Sequence, residues 1–343
     1  MKRVKLTVSY DGTNYCGWQY QPNGITIEEV LNKALTDLLK EPIMVIGASR
    51  TDSGVHAMGN VAIFDTESRM PAEKICIAAN QRLPDDVRIQ KSEEVPLDFH
   101  PRKVNCCKTY EYKIMNRRIA SPLDRLYCHF CYFDLDVEKM KQAAVYLLGE
   151  HDFRSFCTVR SQADETVRIL YSLSVEKNDD IITIRISGSG FLYNMVRIIA
   201  GTLLQVGRGI YPPEHMEEIL EACDRAAAGP TISAAGLTLL SLEYEEKRQP
   251  EITGENQHWH YCLDQRDVET GGPARMSLYR CEDAKLNRVV RRVVHQAVRN
   301  GAERVLAKDL EGNRISAGDR FGFYVAGEAE DGWFPFYYDP EQA

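Results

Sequence analysis

Residues 4–39, VKLTVSYDGTNYCGWQYQPNGITIEEVLNKALTDLL, contain both periodicities on which the fold rests. Val4 to Tyr10 alternates apolar and polar residues, as a half-buried strand does. Ile27, Val30, Leu31, Ala34, Leu35, Leu38 and Leu39 then recur at the spacing of one helix face. Apolar runs at 43–48 and 61–64 predict two further strands. Pro71 opens a second helix that runs to Leu83, and Val87 to Val95 alternates as a fourth strand. The order is strand, helix, strand, strand, helix, strand.

A second pass through the same order starts at Tyr110. Strands are predicted at 110–115 and 128–135, and a helix carries Met140, Ala143, Ala144, Leu147 and Leu148 on one face. Strands follow at 169–175 and 181–186, helices at 192–206 and 213–222, and a closing strand at 237–244. The expected fold class is therefore α+β: two pseudo-duplicated, ferredoxin-like βαββαβ halves, residues 1–104 and 105–246, joined in a mixed, mostly antiparallel sheet with a central cleft. Residues 247–258, polar and bearing Pro250 and Gly254, read as a linker. Residues 259–343 read as a small α+β extension with strand-like runs at 304–307, 321–325 and 333–338. Its one clear helix, roughly 284–300, carries Arg288, Arg291, Arg292 and Arg299 largely opposite its apolar side. That face suits either RNA or plain solvation.

A chain of 343 residues, 44% hydrophobic and 27% charged, has material for a folded core and is neither disordered nor fibrous. The apolar stretch after the N-terminal MKRVK is too short for a signal peptide, and no long charge-free apolar run follows, so a cytoplasmic protein without membrane segments is expected. Its ten cysteines are then expected to be reduced. The lone Cys128-x-x-Cys131 pair reads as structural, and His258, His260 and Cys262 lack a fourth partner, so no metal site is expected. The net charge of −8 argues against a chain that coats nucleic acid by bulk charge, and leaves room for a local basic groove.

Ser49 to Ala57, SRTDSGVHA, places Arg50, Asp52, Gly54 and His56 together where an apolar run ends in a polar loop. Loops leaving a sheet are where sites sit. Taken by itself the string fits equally a turn in which Asp52 binds local backbone N–H groups and Gly54 supplies a positive φ.

ASRTDSGVHA at 48–57 resembles the GRTDxGVHA motif of the TruA-type tRNA pseudouridine synthases. Four further blocks resemble that family in the same order: YDGTNYCGWQYQ at 10–21, FHPRKVNCCKTYEYKI at 99–114, GSGFLYNMVRIIAGTLLQVG at 188–207 and AAGLTL at 234–239. The resemblance spans residues 1–246 and stops at the linker. Ser53 and Cys16 differ from the usual residues, as do Pro101 and the pair Ile232-Ser233, none of which removes a group that the chemistry needs.

The resemblance implies isomerisation of uridine to pseudouridine at positions 38, 39 and 40 of the tRNA anticodon stem-loop, by a homodimer and without metal or cofactor. It makes Asp52 the nucleophile, Arg197 the cation that keeps Asp52 ionised, and Tyr110 the residue that stacks on the uracil and helps remove its C5 proton. Phe191 joins Tyr110 against the substrate, and Arg50 fills the gap left by the extruded base. Gln19, Arg102, Lys108, Arg154 and Arg168 are the expected RNA contacts. The competing reading is a catalytically silent RNA-binding or chaperone dimer on the same fold.

Overall fold

The computed structural model describes residues 1–104, 106–158 and 165–244, and beyond them the backbone of six strands. The first half runs β1 (Lys2–Tyr10), α1 (Ile27–Leu39), β2 (Ile46–Gly47), β3 (His56–Thr66), α2 (Ala72–Asn80) and β4 (Val87–Val95). The second runs β5 (Cys106–Asn116), β6 (His129–Cys131), α3 (Val137–Val145), β7 (Gly149–Asp152), β8 (Val167–Asn178), β9 (Ile181–Gly188), α4 (Met195–Gly207), α5 (His215–Ala222) and β10 (Leu237–Tyr244). All ten strands share one sheet along the path β4-β1-β3-β10-β5-β9-β8-β7, with β2 beside β3 and β6 beside β5.

The duplication is visible in that path. Around β3 the first half has β4-β1-β3-β2, and the second has β10-β5-β9-β8, so each places its four main strands in the order fourth, first, third, second. Most pairings are antiparallel. The seam between the halves is parallel, Thr238 beside His56 and Leu239 beside Ala57. Leu239 also pairs with Tyr110 and Tyr110 with Ile186, so one row of residues crosses the seam from Ala57 to Ile186. With neighbouring strands about 4.8 Å apart, Tyr110 sits roughly 10 Å from the start of β3.

The helices follow their apolar faces. Ile27, Leu31, Ala34 and Leu35 of α1 are buried, the Thr26 side chain accepts from the Glu29 N–H at its start, and Lys40 ends it in a left-handed conformation. Each such buried aliphatic side chain contributes about 1.5–3 kcal/mol. In α4 every residue except Arg197 and Gln205 is buried, as expected of a helix enclosed in a core.

Several predicted elements are shorter or shifted. Of 43–48 only β2 pairs, because polar side chains of α1 take the neighbouring N–H groups: Asn32 Oδ1 accepts from Val45 at 2.8 Å and Thr36 Oγ1 from Ile43 at 3.0 Å. β3 begins at His56, inside the segment expected as loop. The strand expected over 128–135 is paired only at 129–131, and the Asn116 side chain binds the Cys131 and Phe133 carbonyls there. The helix expected from Leu192 starts at Met195 after Asn194, whose φ is +62°.

Beyond residue 244, six strands form a second sheet: β11 (Ile252–Glu255), β12 (Trp259–Asp264), β13 (Ala274–Cys281), β14 (Val305–Asp309), β15 (Phe323–Val325) and β16 (Phe334–Tyr338), in the order β11-β12-β13-β14-β16-β15. β11 corrects the expected linker, since residues 252–255 pair in antiparallel register with 260–263. The strands expected at 304–307, 321–325 and 333–338 correspond to β14, β15 and β16. The arginine-bearing helix expected over 284–300, and His258, lie outside the described residues.

Candidate active site

The loop 49–55 is held from both sides by hydrogen bonds and close backbone contacts. Beneath its entrance, Asn60 is fully buried and uses its whole amide. Its Oδ1 accepts from the Ser49 and Val61 N–H groups at 3.3 and 2.9 Å, and its Nδ2 donates to the Ser49 carbonyl at 3.0 Å and the Tyr10 hydroxyl at 3.2 Å. The Tyr10 hydroxyl in turn shares a 2.7 Å hydrogen bond with Thr51 Oγ1. A buried polar cluster with its partners in place fixes one arrangement of the chain.

At the exit, the Val55 N–H closes a turn onto the Asp52 carbonyl at 3.1 Å, with Gly54 at φ +77°. The loop 11–18 lies against this turn. A Cβ on Gly12 would stand 2.0 Å from the Val55 carbonyl oxygen, and one on Gly17, itself at φ +86°, would stand 2.6 Å from that of Thr51. Those two glycines let the backbones touch, and the Trp18 N–H donates to the Thr51 carbonyl at 3.0 Å. Ser53, one of the departures from the family pattern, adds a bond from its Oγ to the Tyr15 carbonyl at 3.1 Å.

His56 ties this unit to the second half. Its Nδ1 lies 3.1 Å from both the Gly12 backbone nitrogen and Asp11 Oδ1, and its Nε2 lies 3.0 Å from the Leu126 carbonyl oxygen. Beside it the Tyr127 hydroxyl donates to Asp11 Oδ2 at 2.6 Å.

The structure brings Asp52, Tyr110, Phe191 and Arg50 into the lining of one cleft of about 950 Å³ between the halves, and Arg197 reaches Asp52 from outside that lining. Arg197 Nη1 lies 3.7 Å from Asp52 Oδ2, an ion pair longer than a hydrogen bond, with both side chains about four-fifths buried. Asn194 Oδ1 accepts from Arg197 Nη1 at 2.7 Å and the Ile232 carbonyl from its Nε at 2.8 Å, which fixes the guanidinium plane. Burial pushes the Asp52 carboxyl above its ordinary value, and the Arg197 charge opposes that rise. Tyr110 is buried on β5, its ring edge-on to Phe191 with centroids 5.1 Å apart, and burial drives its phenol upward.

A basic rim borders the same cleft. Gln19 and Arg50 are exposed there, and Arg102, Lys108 and Arg168 line it. Arg102 Nε donates to the Gly47 carbonyl at 2.7 Å, Lys108 Nζ to that of Ala48 at 3.3 Å and Arg168 Nη1 to that of Val167 at 2.6 Å. Among the described residues, none of these four cations pairs with a carboxylate. Burial first, then the charges of Arg102 and Arg168, lowers the Lys108 ammonium. Arg154 is the exception among the expected contacts: it is exposed, pairs with Asp152 at 3.3 Å and does not line the cleft.

Asn194 is the site residue that the sequence reading passed over. A polar residue three before Arg197, at the head of an apolar helix, was the available signal. The Ile232 carbonyl left no signal, because a backbone group contributed from a distant loop has no residue type. Among the described residues no three of His, Cys, Asp and Glu come together to hold a metal ion.

The model of a family described as tRNA pseudouridine synthase matches this chain over residues 6–102 and 143–245. The tRNA pseudouridine synthase A of Thermoanaerobacter sp. (strain X514) is 46% identical over 244 residues, 71% of this chain and 100% of its own. That of Brevibacillus brevis (strain 47) is likewise 46% identical over 244 residues, with the same shares of each chain covered. That of Ruminiclostridium cellulolyticum is 47% identical over 245 residues, 71% of this chain and all of its own. Among solved structures, a crystal structure of a Cbf5-Nop10-Gar1 complex is similar over 70% of this chain and 50% of that one, at 14% identity and a TM-score of 0.31.

Proposed function

The chain belongs to the tRNA pseudouridine synthase family and isomerises uridine to pseudouridine in tRNA, and from that premise we propose that Asp52 is the nucleophile, acting on a uridine drawn out of the anticodon stem-loop at positions 38 to 40. The observation that carries this reading is the Asp52–Arg197 pair, formed across the two halves beside a cleft that Asp52 and Tyr110 both line.

The reaction must break the bond from N1 to C1′, turn the uracil while it stays bound, and join C5 to C1′. A carboxylate suits this because it can form and release an ester-like adduct, at C1′ of the sugar or at C6 of the base. Arg197 favours the ionised form that attacks, against the upward push of burial on the carboxyl. Tyr110 and Phe191 wall the base, and Tyr110 takes the C5 proton once the new carbon–carbon bond exists. Extruding the base costs roughly a few kcal/mol, and the planar Arg50 guanidinium at the cleft mouth offsets it by stacking where the base was.

Arg102, Lys108 and Arg168, which among the described residues form no ion pair with a carboxylate, suit the phosphates around the extruded nucleotide, and Gln19 suits the same backbone. Arg154, engaged with Asp152 outside the cleft, suits this role less. The chain is acidic overall, and two copies of this rim facing one tRNA would concentrate the positive charge that a single chain lacks. We therefore assign a cytoplasmic homodimer. Among the described residues no helix is long and apolar enough to cross a membrane.

The test is tritium release from tRNA carrying C5-tritiated uridine. Asp52→Asn should release none and bind tRNA as wild type does, whereas substantial turnover by Asp52→Asn would overturn the assignment. Light scattering at micromolar concentration tests the dimer.

A further inference from the structure

The turn 189–194 joins β9 to α4, and its residues from Phe191 to Asn194 line the cleft. Its backbone is pinned on both sides. The Tyr193 carbonyl accepts from the Thr158 N–H at 3.3 Å, the Leu192 carbonyl from that of Met195 at 3.0 Å, and Asn194 Nδ2 donates to Thr158 Oγ1 at 2.9 Å. Leu192 is buried and Phe191 packs against Tyr110, but Tyr193 is 49% exposed. Among the described residues neither its hydroxyl nor its ring has a hydrogen-bond or ring partner. Tyr20 is more exposed still, yet it is not in the cleft lining. Arg168 lies over the same turn, since a Cβ on Gly190 would stand 3.5 Å from its Nε. One fixed segment thus presents an open aromatic face and, beside it, a cation without a carboxylate partner among the described residues.

We infer that Tyr193 is a subsite for a second base: its ring stacks on the nucleotide 5′ of the extruded uridine, while Arg168 takes a phosphate of the same strand. The inference rests on the reading of the cleft given above, in which a uridine leaves the anticodon stem-loop. Extrusion strips the neighbouring bases of a stacking partner. The 5′ neighbour lies toward the loop, where unpaired bases turn out of the stack most readily and are received on aromatic side chains. Every base has a π-face, so a tyrosine accepts it without reading its identity. That suits an enzyme whose targets stand at successive positions with different neighbours.

The experiment measures the affinity of full-length Asp52→Asn protein, which leaves the uridine unconverted, for tRNA with its target at position 39. Tyr193→Ala should raise Kd about tenfold, and Tyr193→Phe should leave it unchanged, because stacking uses the ring and not the hydroxyl. With Tyr193 intact, an abasic nucleotide at 38 should also raise Kd about tenfold, and Tyr193→Ala should then raise it no further. An abasic nucleotide at 40 should leave the effect of Tyr193→Ala in place. Unchanged affinity in Tyr193→Ala would overturn the inference. So would an equal loss from Tyr193→Ala with and without the base at 38, or a Tyr193→Phe protein as weak as Tyr193→Ala. Conversion of the uridine by the Asp52→Asn protein would overturn the reading of Asp52 alone and leave the affinities to decide the subsite. Equal affinity for a tRNA that lacks its anticodon stem-loop would overturn the reading of the cleft, and the inference with it.

Discussion

Arg197 reaches Asp52 from the first turn of α4, a position where the helix dipole disfavours a cation. It is held there by Asn194 and the Ile232 carbonyl, so its placement is set by groups other than the carboxylate that it serves.

The first prediction concerns pH. Arg197 opposes the upward push of burial on Asp52, so Arg197→Gln should leave that carboxyl higher still. Because attack requires the ionised form, the acidic limb of the kcat/KM profile should move to higher pH. The loss of activity should be larger at pH 6 than at pH 8, and a profile displaced equally at all pH values would contradict this.

Asp52 is also expected to trade stability for chemistry. A carboxyl whose folded value lies above its ordinary 3.8 destabilises the fold wherever it is ionised, and contributes nothing where it is protonated in both states. Asp52→Asn should therefore melt above wild type at pH 7, with the difference fading as pH falls through the raised folded value toward 3.8. Differential scanning calorimetry across that range checks the sign.

Asn194→Gly removes the amide that binds Arg197 while keeping the positive φ of 62° that glycine adopts freely. The expected result is a kcat about tenfold lower with KM unchanged, the scale of a hydrogen bond to a charged group. Steady-state kinetics with full-length tRNA measures it.

Gly17→Ala should strain the backbone at φ +86° and drive a methyl against the Thr51 carbonyl, destabilising the fold by about 1–3 kcal/mol and displacing the Asp52 loop. Urea denaturation gives the first effect, and single-turnover kinetics gives the second.

A chain ending near Arg248 should fold and keep its turnover. The matched relatives align over 244 or 245 residues that make up their whole length, and among the described residues the cleft is lined only by residues before β11. Circular dichroism and tritium release on the shortened chain decide the matter. A folded but inactive product on saturating tRNA would place the extension in the active site.

The sequence made the sheet legible wherever apolar residues alternated without interruption. β4 and β10 occupy the ranges that alternation predicts, because each has one face on the core. It misled at 43–48, where the apolar run signalled a strand but Thr36 and Asn32 on α1 took the N–H groups that pairing would have used. Composition likewise hid β11, a strand of Ile, Thr, Gly and Glu that is recognisable only from its partner β12. At the site, the motif residues Asp52, Tyr110 and Arg197 were legible as types at marked positions. The support beneath them was not, because Asn60 looks like any polar residue in a strand until its four hydrogen bonds are seen.

The seam between the halves is two rungs long, whereas the ladders on either side of it run the length of their strands. A short parallel join has fewer hydrogen bonds than a long antiparallel ladder, and among the described residues it is where the strands of the two halves pair. Asp52 is carried by one half and Arg197 by the other, which makes their separation a gauge of the angle between the halves. A tRNA that changed that angle would change the distance over which Arg197 opposes the upward push of burial on the Asp52 carboxyl. With Asp52 read as the nucleophile, the fit of a tRNA to both halves bears on the reaction as well as on binding.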